Sequence, residues 1–188
     1  MTFPCLFSSR LSLREHFAKD ANDYYYLLSN AEAIKYYGRN PIYNFLEAKV
    51  EIETLHTKYI ESKLIKWAIT INTNEIYIGS VGIKDYVNVH HRGTLSCIIL
   101  PKYWHYGYAS EALNIVIEFA FKTLNLNRLQ VYVDPVNIRA ITLFKNLGFN
   151  MEAILREYEL YLQPIITQYF IDNKSEIWLL FLIAHSKR

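Results

Sequence analysis

Along this chain the apolar residues switch between a two-residue period and a spacing of three and four, and the switches mark the elements. Leu11-Ser-Leu-Arg14 alternates as a first strand. Asp20 stands at the N-cap position of a helix carrying Tyr24 to Leu28, and a shorter helical piece is expected to run to Tyr37 and stop at Gly38. Phe45, Ala48, Ile52, Leu55 and Tyr59 share one helical face, which predicts an amphipathic helix from Phe45 to Ile60 with Glu47, Lys49, Glu51 and Glu53 mostly outward. Trp67 to Ile71 and Ile76 to Ile83, joined by Asn72-Thr-Asn74, predict an antiparallel hairpin, with Gly79 and Gly82 marking a bulge or a close backbone approach. Thr94 to Leu100 is the fourth predicted strand.

Downstream, a helix is expected from Tyr108 to Leu124 and a strand from Arg128 to Val133, broken by Pro135. Asn137 then occupies an N-cap position ahead of Ala140, Ile141, Phe144 and Leu147, and Gly148 ends that helix. Met151 to Leu162 and Glu176 to Ala184 predict a closing hairpin with an irregular connection around Pro164.

Composition narrows the class. The 188 residues, 52% hydrophobic and without a linker or charge run, predict one domain spanning 1–188 with a sizeable core. A net charge of +2 gives no basic stripe, so nucleic acid is not an expected partner. The first ten residues lack a secretory layout and Ile177 to Ala184 is too short to span a bilayer, so no membrane association and a cytoplasmic location are expected. Cys5 and Cys97 form no disulfide framework, no Cys/His cluster has zinc-ligand spacing, and no metal is expected.

The candidate chemistry sits between Pro101 and Leu113, where a strand gives way to a helix. The first-turn N–H groups of such a helix lack intrahelical partners and carry the positive end of its dipole, which suits an anion. Gly107 allows close approach or a positive φ, and Ala109 keeps the helix entrance small. No Gly-Lys-Ser/Thr follows, so the turn is not a nucleotide-hydrolysing loop.

Tyr-Trp-x-x-Gly-Tyr-Ala-Ser-Glu-Ala-Leu, with the strand at Arg128 to Val133, Asn137-x-x-Ala140 and Asn146-Leu-Gly-Phe149 following in order, resembles the acetyl-CoA-binding core of the GNAT superfamily of N-acetyltransferases. Within it the chain most resembles the RimJ/RimL-like branch, which acetylates ribosomal-protein N-termini. The resemblance implies an α+β fold: a mostly antiparallel twisted sheet of about seven strands, splayed between the fourth and fifth, with helices on both faces. It implies that Trp104, His105, Tyr106, Gly107, Tyr108, Ala109 and Ser110 form the turn that holds acetyl-CoA, and that backbone groups of Cys97, Ile98 and Ile99 pair with the pantetheine arm, which Asn137 also touches. The early helices would shape the acceptor pocket. The partners implied are acetyl-CoA and an amine acceptor, the protein being a monomer or homodimer.

The reaction implied is direct attack of an amine on the thioester. Holding two reactants together supplies about 7–11 kcal/mol, and backbone N–H groups facing the developing charge about 3 kcal/mol more. An α-amine with a pKa near 8 costs about 1.4 kcal/mol to deprotonate at neutral pH, and a lysine near 10.4 about 4.6 kcal/mol. A site without a strong base favours the α-amine. Thr94 stands where the family often has an acidic base, Phe144, counted with the cofactor-binding residues, where a tyrosine often protonates the thiolate, and Trp104 where the wider superfamily has Gln or Arg. His91 and Tyr132 are the candidate catalytic residues, with Tyr158 a further proton source. The expected activity is thus N-acetyltransfer to a protein N-terminal α-amine, the alternatives being a small-molecule amine, such as an antibiotic or polyamine, and a non-catalytic acyl-CoA-binding module.

Overall fold

The computed structural model describes residues 2–87, 90–156 and 178–185. Strands β1 (Leu6–Phe7) and β2 (Leu11–Arg14) lead into helices α1 (Ala21–Ser29), α2 (Ala31–Ile34) and α3 (Phe45–Ile60). Then follow β3 (Leu64–Ile71), β4 (Tyr77–Val87), β5 (Arg92–Ile99), α4 (Tyr108–Lys122), β6 (Arg128–Val133), α5 (Ile138–Asn146), β7 (Asn150–Arg156) and β8 (Trp178–His185). Among the described residues these strands make one sheet in the order β1-β2-β3-β4-β5-β6-β8-β7, antiparallel except between β5 and β6. This is the expected α+β architecture, with β1 as a strand that no periodicity announced. Tyr158, Pro164 and the connection predicted around it lie outside the described residues.

Local chemistry explains most boundaries. The Asn44 side chain accepts the Glu47 N–H at 2.9 Å and starts α3, as Asn137 accepts the Ala140 N–H at 3.1 Å and starts α5, which Gly148 ends at φ 86°. Asp20 precedes α1 as expected, yet its carboxylate does not cap that helix. It holds the Arg14 guanidinium at 2.7 and 2.8 Å and accepts the Phe17 N–H instead. A register shift at Ile69/Thr70 places a bulge beside Gly79, where an added Cβ would stand 2.2 Å from the Ile98 carbonyl oxygen. Only glycine fits there.

Antiparallel partners share a face, so the sheet has two distinct cores. Trp67, Val81, Leu95, Ile99 and the β6 residues Leu129, Val131 and Val133 pack against α4 and Phe144 of α5. Ala68, Tyr77 and Ile98 pack on the other side against Tyr24, Leu27, Ala48 and Ile52 of α1 and α3. No helix among the described residues is long and apolar enough to cross a membrane, and none of their His, Cys, Asp and Glu side chains cluster as a metal site.

Candidate active site

The sheet is open at its centre. β5 and β6 pair only at Arg92/Arg128, Gly93/Leu129 and Thr94/Gln130, after which they diverge. Leu100 donates to the Ile78 carbonyl at 2.9 Å, so in antiparallel alternation the backbone groups of Ile98 also face β4, while those of Cys97 and Ile99 face the opening. Of the three backbone partners expected for the pantetheine arm, Cys97 and Ile99 have the right orientation and Ile98 has not. The Ile99 carbonyl accepts the Trp104 indole N–H at 2.7 Å, and the Arg139 guanidinium lies 5.3 Å over the Trp104 ring, which ties the end of β5 to the first turn of α5.

Beyond β5 a short 3₁₀ turn, Pro101–Tyr103, brings the chain to Gly107, whose φ of 79° makes it the left-handed residue that opens α4. The N–H groups of Tyr108, Ala109 and Ser110 belong to that first turn. A latch from the other end of the chain holds the turn in place. Glu111 accepts from Ser8 Oγ at 2.6 Å and Arg10 Nε at 2.7 Å, Arg10 also donates to the Tyr106 carbonyl at 3.0 Å, and its guanidinium stacks 4.8 Å over Tyr108. Burial opposes ionisation of Glu111, but Ser8 and Arg10 outweigh it and hold its carboxyl below the usual value. Tyr106 and Tyr108 stack at 5.8 Å, and His105 stands exposed at φ 68°. An open strand edge carrying amide partners and a helix N-terminus at its far end suit acetyl-CoA, with its amide-bearing arm and its pyrophosphate.

The sheet face beneath α1 and α3 carries a set of polar side chains. Where β5 and β6 part, buried Thr94 accepts from Gln130 Nε2 at 3.0 Å, and the same amide approaches the Tyr132 hydroxyl at 3.4 Å. Tyr37, from the loop after α2, is hydrogen-bonded to Ser96, and burial pushes its phenol up to about 12. Lys66 donates to the Tyr24 hydroxyl at 2.7 Å; Tyr24 donates to Glu51 at 3.0 Å; Arg39 clamps the same carboxylate at 3.0 and 2.7 Å. Burial works against the Glu51 charge, but Arg39 and Tyr24 hold it ionised below its ordinary value. Burial also pushes the Lys66 ammonium down to about 8, with Glu51 offsetting only part of that effect. His16, wedged between Ser80 Oγ at 3.0 Å and the Lys66 carbonyl at 3.3 Å, is lowered to about 3 by burial first and by Lys66 next, so it is neutral.

The structure thus places the Trp104–Ser110 turn beyond the open edge of β5 at Cys97 and Ile99, and Asn137 caps α5, whose Arg139 lies over Trp104. Phe144 is buried against Phe149 at 5.2 Å, on the α4 side. Cys97 has its thiol pushed up to about 12 by burial, so it is no thiolate nucleophile. His91 is exposed, at φ 47°, and its Nδ1 contacts the Asn125 carbonyl at 2.9 Å in the loop ahead of β6, beyond the closed end of the fork. Sequence reasoning passed over Lys66 and Arg39 and turned Glu51 outward; Glu51 is half-buried instead, because the loop after α2 folds over it. The available signal was Lys66 itself, a cation inside the apolar run Ile65 to Ile71.

A family model described as "Acetyltransferase (GNAT) domain" matches residues 10–150. The uncharacterized N-acetyltransferase YoaA of Bacillus subtilis (strain 168) is 31% identical over 156 residues, 83% of this chain and 88% of that protein. Spermidine N(1)-acetyltransferase of Escherichia coli (strain K12) is 29% identical over 145 residues, 77% of this chain and 75% of that protein. The structure of spermidine N-acetyltransferase from Vibrio cholerae in complex with CoA and spermine superposes with a TM-score of 0.77 at 21% identity, covering 95% of this chain and 96% of that one.

Proposed function

Because the chain belongs to the GNAT acetyltransferase family and is an acetyl-CoA-dependent N-acetyltransferase, we propose that its acceptor is the α-amino group of a protein or peptide, as in the RimJ/RimL-like branch. Acetyl-CoA supplies the activated acetyl group: the C–N bond forms, the C–S bond breaks, the amine loses a proton and the sulfur gains one. In this reading Gly107 and the first turn of α4 bind the pyrophosphate, with the flanking residues Trp104 to Ser110 shaping the turn. Cys97 and Ile99 align the arm beside Asn137, and Tyr132, at the point where β5 and β6 part, supplies the proton to sulfur. His91 is given no role. The same reading takes residues 1–188 as one domain, working in the cytoplasm as a monomer or homodimer.

The observation that carries the choice of acceptor is the use of charge on the face away from α4. Among the described residues Glu51 is already spent on Arg39 and Tyr24, and Asp20 on Arg14, while Lys66 has no carboxylate partner. A polycation entering here meets a cluster in which two cations share one carboxylate. An α-amine needs only about 1.4 kcal/mol to shed its proton at neutral pH, so it can react at a site without a strong base. Acetylation of a polyamine is the second reading, favoured by the spermidine acetyltransferase among the relatives. Initial rates on peptides with free N-termini and on spermidine, at equal concentration, separate the two. Peptides are expected to be acetylated at least about tenfold faster, and a faster reaction with spermidine would reverse the assignment.

A further inference from the structure

The hydrogen bonds among Lys66, Tyr24, Glu51 and Arg39 have only one consistent direction. The Tyr24 hydroxyl donates to Glu51 and therefore accepts from Lys66, and Arg39 fills the rest of the carboxylate. Two cations share one anion. Lys66 uses one of its three N–H groups on a neutral hydroxyl, while the rings of Tyr24 and Tyr37 lie 4.9 and 5.9 Å away, and no described carboxylate forms an ion pair with it. An apolar side chain of that length would fill the same space without desolvating a charge. Among the described residues the cation has only a share of the Glu51 charge, through Tyr24, and no carboxylate of its own.

Resting on the reading that the acceptor is a peptide α-amine, we infer that Lys66 is a specificity-determining residue that takes a carboxylate of the acceptor, selecting N-termini with an acidic side chain at the second or third position. The sheet sets the distance. Lys66, Gly82 and Ser96 lie side by side on β3, β4 and β5, so Lys66 is two strand spacings, about 10 Å, from Ser96. Ser96 is two residues from Thr94, the last residue that pairs with β6, about 7 Å further along β5. An amine reacting at the fork therefore stands about 12 Å from the Lys66 backbone. An extended peptide advances about 3.3–3.6 Å per residue, and the reach of the two side chains closes the remainder at residue two or three. A diamine or polyamine of the same span would instead bring a second cation to Lys66.

The test is a comparison of kcat/KM for two pairs of peptides, each pair identical except for Glu or Gln at position two or at position three, with spermidine alongside, on wild type, Lys66→Met and Lys66→Arg. Wild type is expected to prefer the Glu member of one pair by at least about tenfold, the least that one charge-assisted hydrogen bond gives. The ratio should fall to about one in Lys66→Met and survive in part in Lys66→Arg. Equal rates on Glu and Gln peptides in wild type, or a ratio retained in Lys66→Met, would overturn the inference and leave the α-amine reading standing. Turnover of spermidine with no turnover of any peptide would overturn both. Calorimetry of the acetylated Glu and Gln peptides binding to CoA-loaded wild type needs no variant: tighter binding of the Glu product supports the inference, and equal or absent binding counts against it.

Discussion

The two faces of the sheet are built from different materials. On the α4 side the groups that the proposed function assigns to acetyl-CoA are main-chain: the open edge of β5 at Cys97 and Ile99, the Gly107 turn and the first N–H groups of α4. On the α1–α3 side the groups it assigns to the acceptor are side chains drawn from four separate places in the chain: Arg39 after α2, Glu51 on α3, Tyr24 on α1 and Lys66 on β3. A backbone site is fixed by the fold, and any sequence that keeps the strand, the glycine and the helix keeps it. A side-chain site can be rewritten position by position. That division suits an enzyme family that holds one cosubstrate and varies its acceptor.

The largest effect should come from attacking the backbone half at its narrowest requirement. Gly107→Glu places a side chain at φ 79°, a conformation that costs about 1–2 kcal/mol, and sets a carboxylate where the helix dipole favours a phosphate. A Cβ there first meets Arg10 Nη2 at 3.5 Å, so there is space for it and the fold survives. Acetyl-CoA affinity by calorimetry should fall by about a thousandfold, roughly 4 kcal/mol, while acetylated-peptide binding stays as in wild type. Undiminished acetyl-CoA binding would erase the distinction between the faces, since the α4 side would then depend on something other than that turn.

The same division explains what could be read without coordinates. The boundaries of α3 and β6 and the caps at Asn137 and Gly148 follow from periodicity and local hydrogen bonding, and they coincide with the expectation. So does the strand–turn–helix unit, although the 3₁₀ turn at Pro101–Tyr103 and the strand at Leu6–Phe7 leave no period to detect. The polar cluster on the α1–α3 face was invisible for a physical reason. Alternation along β3 puts Lys66 opposite Ile65 and Trp67, which reads as a solvent position unless it is known that α1 and α3 cover that face. Glu51 lies one turn from exposed Glu47 on α3, and only Arg39, twelve residues earlier, turns it into a half-buried ion pair. Asp20 went the same way, from expected cap to partner of Arg14.

A side-chain site that holds an extra cation should also cost stability, and the cost has a pH signature. Burial lowers Lys66 from 10.5 to about 8, so between those values the unfolded chain holds a proton there that the folded chain has released. Stability then rises with pH from about 8 to 10.5, and below 8 the full cost, at most about 3 kcal/mol, is present. Lys66→Met removes the charge but loses a hydrogen bond worth about 1 kcal/mol. Urea unfolding at pH 7 should find the variant about 2 kcal/mol more stable than wild type, with the gap closing toward pH 10.5. A variant less stable at pH 7 would mean that Lys66 belongs to the framework and not to the acceptor.

The smallest effect is expected at the fork between the strands. Tyr132 stands on β6 just past the last β5–β6 pair, on the face opposite Val131 and Val133, and its hydroxyl is approached by the Gln130 amide that also reaches Thr94, so it lies at the fork itself. A thiol with a pKa near 8.5 is already a good leaving group, which puts the help of a proton donor at the low end of the usual range. Tyr132→Phe keeps the ring and removes the proton, and kcat should fall about tenfold, roughly 1.4 kcal/mol, with KM unchanged for both acetyl-CoA and peptide. A rise in one KM alone would assign Tyr132 to that substrate's face as a positioning residue. A kcat equal to that of wild type would show that the thiolate takes its proton from water, so that chemistry at the fork rests on the backbone half and on the alignment of the two substrates.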